Sequence, residues 1–234
     1  MKYWAILFLL LSAFASAKNV HKVLKVAVVD SGLDITDTRF KHLCPKGHKD
    51  FTGLGIKDTT PHGSHVVGLI EKYSGNGNYC ILIYKYFDES LSGFYTSKYE
   101  ILAIKEAIKN GAKIINISGG GDTFNEDEYL VIKSHPQVLF VVAAGNENKD
   151  IDQTSGYFYP ASLHLMNIIV VGNLNNNSTK AESSNWADRP ISWEMGENVK
   201  STFPNGQYGI LSGTSMSTAI HTGKIIRGLL TNGY

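Results

Sequence analysis

The sequence predicts an α/β fold: a three-layer sandwich with a mostly parallel central sheet and helices on both faces. Strand-like and helix-like segments alternate along the chain, and nearly all the strand-like ones are continuous apolar runs, as expected of strands buried on both faces. Each run also ends in a loop of small residues, and in open parallel sheets function gathers outside the carboxyl ends of the strands. Glycine supplies 23 of 234 residues, above the usual ~7%, which suits a fold with many such loops.

Residues 24–29 form a short β-branched run that stops at Asp30-Ser31-Gly32, a strand running into a loop. Residues 79–87 read as a second strand. Ser97 with Glu100 makes a capping box for a helix from about Lys98, and Gly111 stands where a terminating glycine belongs. Residues 113–117 are strand-like and end in Ser118-Gly119-Gly120-Gly121. Asn125 with Glu128 caps a short helix that closes before Pro136. Residues 138–142 run as a strand into Ala143-Ala144-Gly145-Asn146, and residues 167–171 repeat the pattern. With no internal repeat, low-complexity tract or long linker, residues 18–234 are expected to form one domain.

Charge and composition exclude two classes. Lys and Arg (22) nearly balance Asp and Glu (21), for a net charge of +1; a nucleic-acid partner would call for a basic excess or stripe. Hydrophobic residues at 43% argue against disorder.

The first seventeen residues are set apart. Lys2, an apolar run from Trp4 to Leu11 and the small-x-small Ala15-Ser16-Ala17 have the form of a secretory signal peptide over residues 1–17, cleaved after Ala17. A membrane anchor is the alternative, and the run is short for the ~30 Å of hydrocarbon it would cross. The expected product is a secreted monomer, extracellular or periplasmic, with no membrane contact after cleavage. In an oxidising compartment Cys44 and Cys80 can pair as a disulfide, with two buried free thiols as the alternative. Two cysteines cannot complete a four-ligand zinc site.

Four segments carry the chemistry. Asp30 follows the first strand; His62 opens His62-Gly63-Ser64-His65-Val66-Val67-Gly68; Asn146 ends Ala144-Gly145-Asn146; Ser215 lies in Gly213-Thr214-Ser215-Met216. Each alone has a bland reading as a cap, a satisfied helix residue or a turn. Together they supply an acid, a base, an oxyanion donor and a nucleophile, each in a glycine-bearing loop.

These motifs resemble those of the subtilisin-like serine proteases. The resemblance rests on Val26-Ala27-Val28-Val29-Asp30-Ser31-Gly32, on the histidine motif with Ser64 for the usual Thr, on Ala143-Ala144-Gly145-Asn146 and on Gly213-Thr214-Ser215-Met216, in the chain order Asp, His, Ser. Ile115-Asn116-Ile117-Ser118 and Tyr159-Pro160-Ala161 extend it to roughly residues 24–223. It implies a secreted serine endopeptidase in which Ser215 attacks, His62 is the base, Asp30 orients His62, and Asn146 with the Ser215 N–H holds the oxyanion. His65 is structural in that pattern. A peptide or protein substrate would lie as an extended strand on Ser118, Gly119 and Gly120. Ala143 and Gly145 would wall the pocket for the residue preceding the scissile bond (P1), with Phe158 as its floor. The strands near Cys44 and Cys80 are neighbours in the family, which favours the bridge.

The pattern also departs. Ala219 stands where the family usually has Pro, Glu194-Met195-Gly196 replaces Ala-Pro-Gly, and few residues separate Ala17 from the first strand, so no pro-domain is expected. Residues 73–79 lack the carboxylates of a calcium loop; Asp150/Asp152 and Glu126/Asp127/Glu128 are the alternative place for a structural calcium but read better as solvated loop charges, so no cofactor is expected and no metal is indicated. A catalytically weak or inactive peptide-binding relative is the alternative, against which the intact set of four residues argues. A lipase or esterase would need a Gly-x-Ser-x-Gly elbow, absent here.

Overall fold

The computed structural model describes residues 23–91 and 93–232, with the backbone alone over 93–95. The signal-peptide reading over residues 1–17 lies outside the described residues. The chain runs β1 (Leu24–Asp30), β2 (Lys49–Asp50), α1 (His62–Ser74), β3 (Tyr79–Lys85), α2 (Gly93–Lys109), β4 (Ile114–Ile117), α3 (Glu126–Lys133), β5 (Leu139–Ala143), β6 (Ile168–Leu174), β7 (Ser192–Met195), β8 (Val199–Thr202), β9 (Tyr208–Leu211) and α4 (Thr214–Thr231).

Seven strands form one sheet in the order β2-β3-β1-β4-β5-β6-β7, every adjacent pair parallel. Successive side chains of a strand face opposite ways, and both faces of β1 are buried. Val26 and Val28 share a core with Val66 and Ile70 of α1 and Met216 and Ile220 of α4. Ala27 and Val29 share the other with Ala103 and Ile104 of α2 and Val131 and Ile132 of α3. This is the expected three-layer arrangement, and it explains why the strands lack polar alternation.

From β1 the chain builds outward on both sides, β3 on one flank and β4 on the other. Such a switch in strand order opens a crevice at the carboxyl ends, where Asp30, Lys85 and Ile117 end their strands.

Three expectations are corrected. The α2 helix begins at Gly93, five residues before the expected Lys98. Its Glu100 is buried inside the helix, so the local capping-box signal is overridden by packing. The antiparallel hairpin of β8 and β9 was not read from the sequence; its strands are four residues long and partly exposed, too short and mixed for a clear pattern. Cys44, which the resemblance placed near a strand, lies outside the named strands. It follows the isolated Leu43–Ile81 bridge, ahead of β2, and forms a disulfide with Cys80 of β3 across a Cα–Cα distance of 4.9 Å.

Candidate active site

The end of β1 presents Asp30, only 5% exposed. Its Oδ1 accepts from the Ser31 N–H at 2.7 Å and lies 2.7 Å from His62 Nδ1. His62 is the first residue of α1, and Pro61 ahead of it gives that helix no side-chain cap. Asp58 takes over that role. Its Oδ2 accepts from the Ser64 N–H at 2.7 Å, and its Oδ1 accepts from the Ser31 hydroxyl at 2.8 Å. The Ser31 Oγ in turn accepts from the Gly63 N–H at 2.9 Å. One buried network therefore ties the β1 end to the start of α1 and fixes His62 relative to Asp30. Burial raises the Asp58 pKa against the bonds from Ser64 and Ser31. Burial works to lower the His62 pKa, but the charge and hydrogen bond of Asp30 outweigh it and raise it.

Behind His62, the hairpin braces α1. The Ser201 and Thr202 hydroxyls donate to the His65 and Ser64 carbonyls at 2.8 and 2.7 Å, and His65 Nε2 meets the Val199 carbonyl at 2.9 Å. His65 is fully buried and structural, as the resemblance implied.

Ser215 stands in the first turn of α4, among the backbone N–H groups that have no partner within a helix. Its hydroxyl donates to the Ser118 carbonyl at 2.7 Å, and the Ser118 hydroxyl donates back to the Ser215 carbonyl at 3.1 Å. The sheet thus brings Ser215 to the residues expected to hold substrate, while its hydroxyl is turned onto Ser118 rather than onto His62. Asn146 is held by its oxygen: Oδ1 accepts from the Thr214 N–H at 2.9 Å and the Thr214 hydroxyl at 3.1 Å. That leaves its amide N–H groups beside the α4 N-terminus. Gly213, with φ +133°, packs against this amide, and a Cβ there would lie 3.1 Å from Asn146 Oδ1. The turn into α4 therefore requires glycine.

Ser118, Gly119 and Gly120 line a cleft of about 400 Å³ with Asp30 and His62. A Cβ on Gly120 would lie 2.5 Å from Phe158 Cε1, and one on Gly145 would lie 3.0 Å from Phe158 Cδ2. The Phe158 ring therefore sits between Gly120 and Gly145, beside the two segments expected to bound the P1 pocket. Ala143 is buried at the end of β5.

The sequence profile of the subtilase family, peptidase S8, matches residues 21–227. The chain belongs to the subtilase family. By family it is a serine-type peptidase, a class whose substrates are proteins or peptides. It is 35% identical over 219 residues to the major intracellular serine protease of Bacillus subtilis, covering 86% of this chain and 67% of that one. It is 31% identical over 206 residues to subtilisin E of the same species, covering 83% of this chain and 52% of the relative. Among solved structures, a cold-adapted subtilisin-like serine proteinase superposes with a TM-score of 0.76 at 26% identity, covering 90% of this chain and 76% of that one. A lanthipeptide protease superposes at 0.77 with 20% identity, a likeness of fold.

Two residues that support this subtilase site, Asn185 and Asn173, leave no signal in the sequence. Asn185, fully buried, donates to the Ala144 carbonyl and accepts from the Glu147 and Lys149 N–H groups, which shapes the loop carrying Asn146. Asn173 accepts from the Gly196 N–H at 2.8 Å and from the Ser217 hydroxyl at 3.1 Å, tying β6 to α4. Glu194, at the unusual Glu-Met-Gly, binds His221 Nδ1 at 3.1 Å and Lys224 Nζ at 2.6 Å. These bonds anchor α4 from the side where the family pattern differs, and Ala219 packs fully buried within that helix. A buried Asn or Asp in a loop leaves no periodic signal, so only its spatial partners disclose it.

The loop-charge reading also needs correction. Glu128 is buried, and Asp152 pairs with Arg189.

Proposed function

We propose that this chain is an exported serine endopeptidase in which Asp30, His62 and Ser215 act as a triad and Asn146 completes the oxyanion hole. The observation that carries the reading is the Asp30–His62 hydrogen bond of 2.7 Å, formed at the strand end that also receives Ser215 through Ser118. Catalysis begins when the Ser215 hydroxyl rotates from the Ser118 carbonyl towards His62 Nε2, an adjustment in keeping with looser catalytic bonds in substrate-free sites. His62 then takes the hydroxyl proton as the oxygen attacks the peptide carbonyl carbon. Asp30 holds the other ring nitrogen and stabilises the imidazolium without taking the proton. The negative oxygen of the tetrahedral intermediate is held by the Asn146 amide and the Ser215 N–H at the α4 start. The carbon–nitrogen bond breaks as His62 returns the proton to the leaving amine, and water repeats the sequence on the acyl-enzyme.

The substrate backbone lies on Ser118, Gly119 and Gly120. Phe158 fills the P1 pocket between Gly120 and Gly145, so small or aliphatic P1 residues are preferred. Export is supported by the Cys44–Cys80 disulfide, since such bonds persist mainly in oxidising compartments. The mature chain is a monomer that starts at Lys18 after cleavage of residues 1–17. Purified enzyme should cleave an unstructured protein, and Ser215→Ala or His62→Ala should fall to near background because the two act as a unit. Full activity in Ser215→Ala would overturn the reading.

A further inference from the structure

One polar side chain in the sheet has no part in the chemistry above. Asn116 lies in β4, fully buried, and its partners in register are Val28 of β1 and Val141 of β5. Both valines belong to the core that α1 and α4 cover. An amide in such a row is costly unless its hydrogen bonds are made inside the protein, and here they are. The Asn116 Nδ2 donates to the Ser118 Oγ at 2.9 Å, and the Asn116 Oδ1 accepts from the Thr222 hydroxyl at 2.8 Å.

These bonds close a ring that includes Ser215. The Ser118 hydroxyl donates to the Ser215 carbonyl at 3.1 Å. A carbonyl can only accept, so the Ser118 proton is engaged there, and the Ser118 oxygen takes its other bond from the Asn116 amide. Ser215 and Thr222 stand about two turns apart on one face of α4. Asn116 therefore grips that helix twice, directly at Thr222 and through Ser118 at Ser215. All four residues are buried, so water does not compete for these bonds. The same Ser118 supplies the carbonyl on which the Ser215 hydroxyl rests, and it begins the segment on which the substrate backbone would lie.

We propose that Asn116 is a positioning residue for peptide cleavage: acting through Ser118, it fixes the register between the strand end that carries substrate and the helix that carries the nucleophile. The assignment rests on the peptidase reading of the site. Asn116 touches neither the substrate nor the reacting atoms, so its loss should act on rate rather than on affinity. A misplacement of about 1 Å can lower a rate 100-fold.

Asn116→Leu, Ser118→Ala and their double variant, each as the full chain, are compared with wild type by steady-state kinetics on a neutral peptide and by denaturant melts. Asn116→Leu and Ser118→Ala should each lower kcat about 10- to 100-fold and leave KM nearly unchanged. The double variant should be no slower than the slower single one, because both substitutions break the same link. Asn116→Leu/Thr222→Val separates this role from packing, and it stands in where Asn116→Leu alone does not fold. Replacing both polar partners by apolar groups should restore stability, yet kcat should stay low. Wild-type rates in Asn116→Leu, losses that multiply in the double variant, a kcat that recovers with stability, or an effect confined to KM would overturn the positioning role alone. Absence of cleavage by the wild-type enzyme would defeat the peptidase reading and the role with it, so the wild-type assay tells the two failures apart.

Discussion

His62 faces opposing influences on its proton: burial disfavours the imidazolium, while the Asp30 carboxylate 2.7 Å away favours it and prevails. A base must be neutral to accept the Ser215 proton, so kcat/KM should rise with pH and reach half its maximum above the ordinary imidazole value of 6.5. A pH–rate profile on a neutral peptide measures this, and a midpoint below 6.5 would contradict the dominance of Asp30. Phe158 makes the second residue-scale case. Tetrapeptide substrates differing only in P1 should be cleaved faster with Ala than with Phe, and Phe158→Gly should shift that ratio towards Phe by about 5- to 150-fold. An unchanged ratio would remove Phe158 from the pocket. The four principal residues were legible in the sequence because each sits in a motif with glycine at fixed spacing. Asp58 was not, since its role depends on Ser31, 27 positions away, and on its burial, neither of which leaves a local pattern.

At the level of elements, the strands were legible because both faces of the sheet are covered, which writes them as unbroken apolar runs. Their ends differ from expectation by a few residues; β3 stops at Lys85 rather than at residue 87. The α2 start departs from expectation because Ser97 and Glu100 satisfy a local rule that the burial of Glu100 within the helix overrides, and the hairpin leaves no pattern because its burial comes from α1 rather than from its own sequence. The α1 helix depends on a cap that is distant from its first residue. Asp58→Ala leaves the Ser64 N–H and Ser31 hydroxyl without their acceptor, and should lower stability by about 1–2 kcal/mol. It should also reduce kcat more than it raises KM, because His62 loses its fixed position. Denaturant melts and steady-state kinetics test both parts, and unchanged values would show that Asp58 does not position the helix.

For the whole molecule, the Cys44–Cys80 bridge closes a span of 36 residues and ties the segment before β2 to β3. Replacing both cysteines by Ser should destabilise the fold by about 3–4 kcal/mol on the chain-entropy estimate. A melt of the double variant reads this directly, and equal stability would show that the bridge adds nothing. The sequence left bridge and free thiols open because pairing depends on two segments becoming neighbours.

Peptide cleavage by this site requires Ser215 to be a nucleophile that His62 can activate, although its hydroxyl rests on Ser118 in this structure. The most direct measurement is reaction of the purified chain with a fluorophosphonate probe, followed by mass spectrometry of the labelled peptide. One label per chain is expected, on Ser215, with labelling greatly slowed in His62→Ala. No label on Ser215, or equally fast labelling without His62, would contradict this.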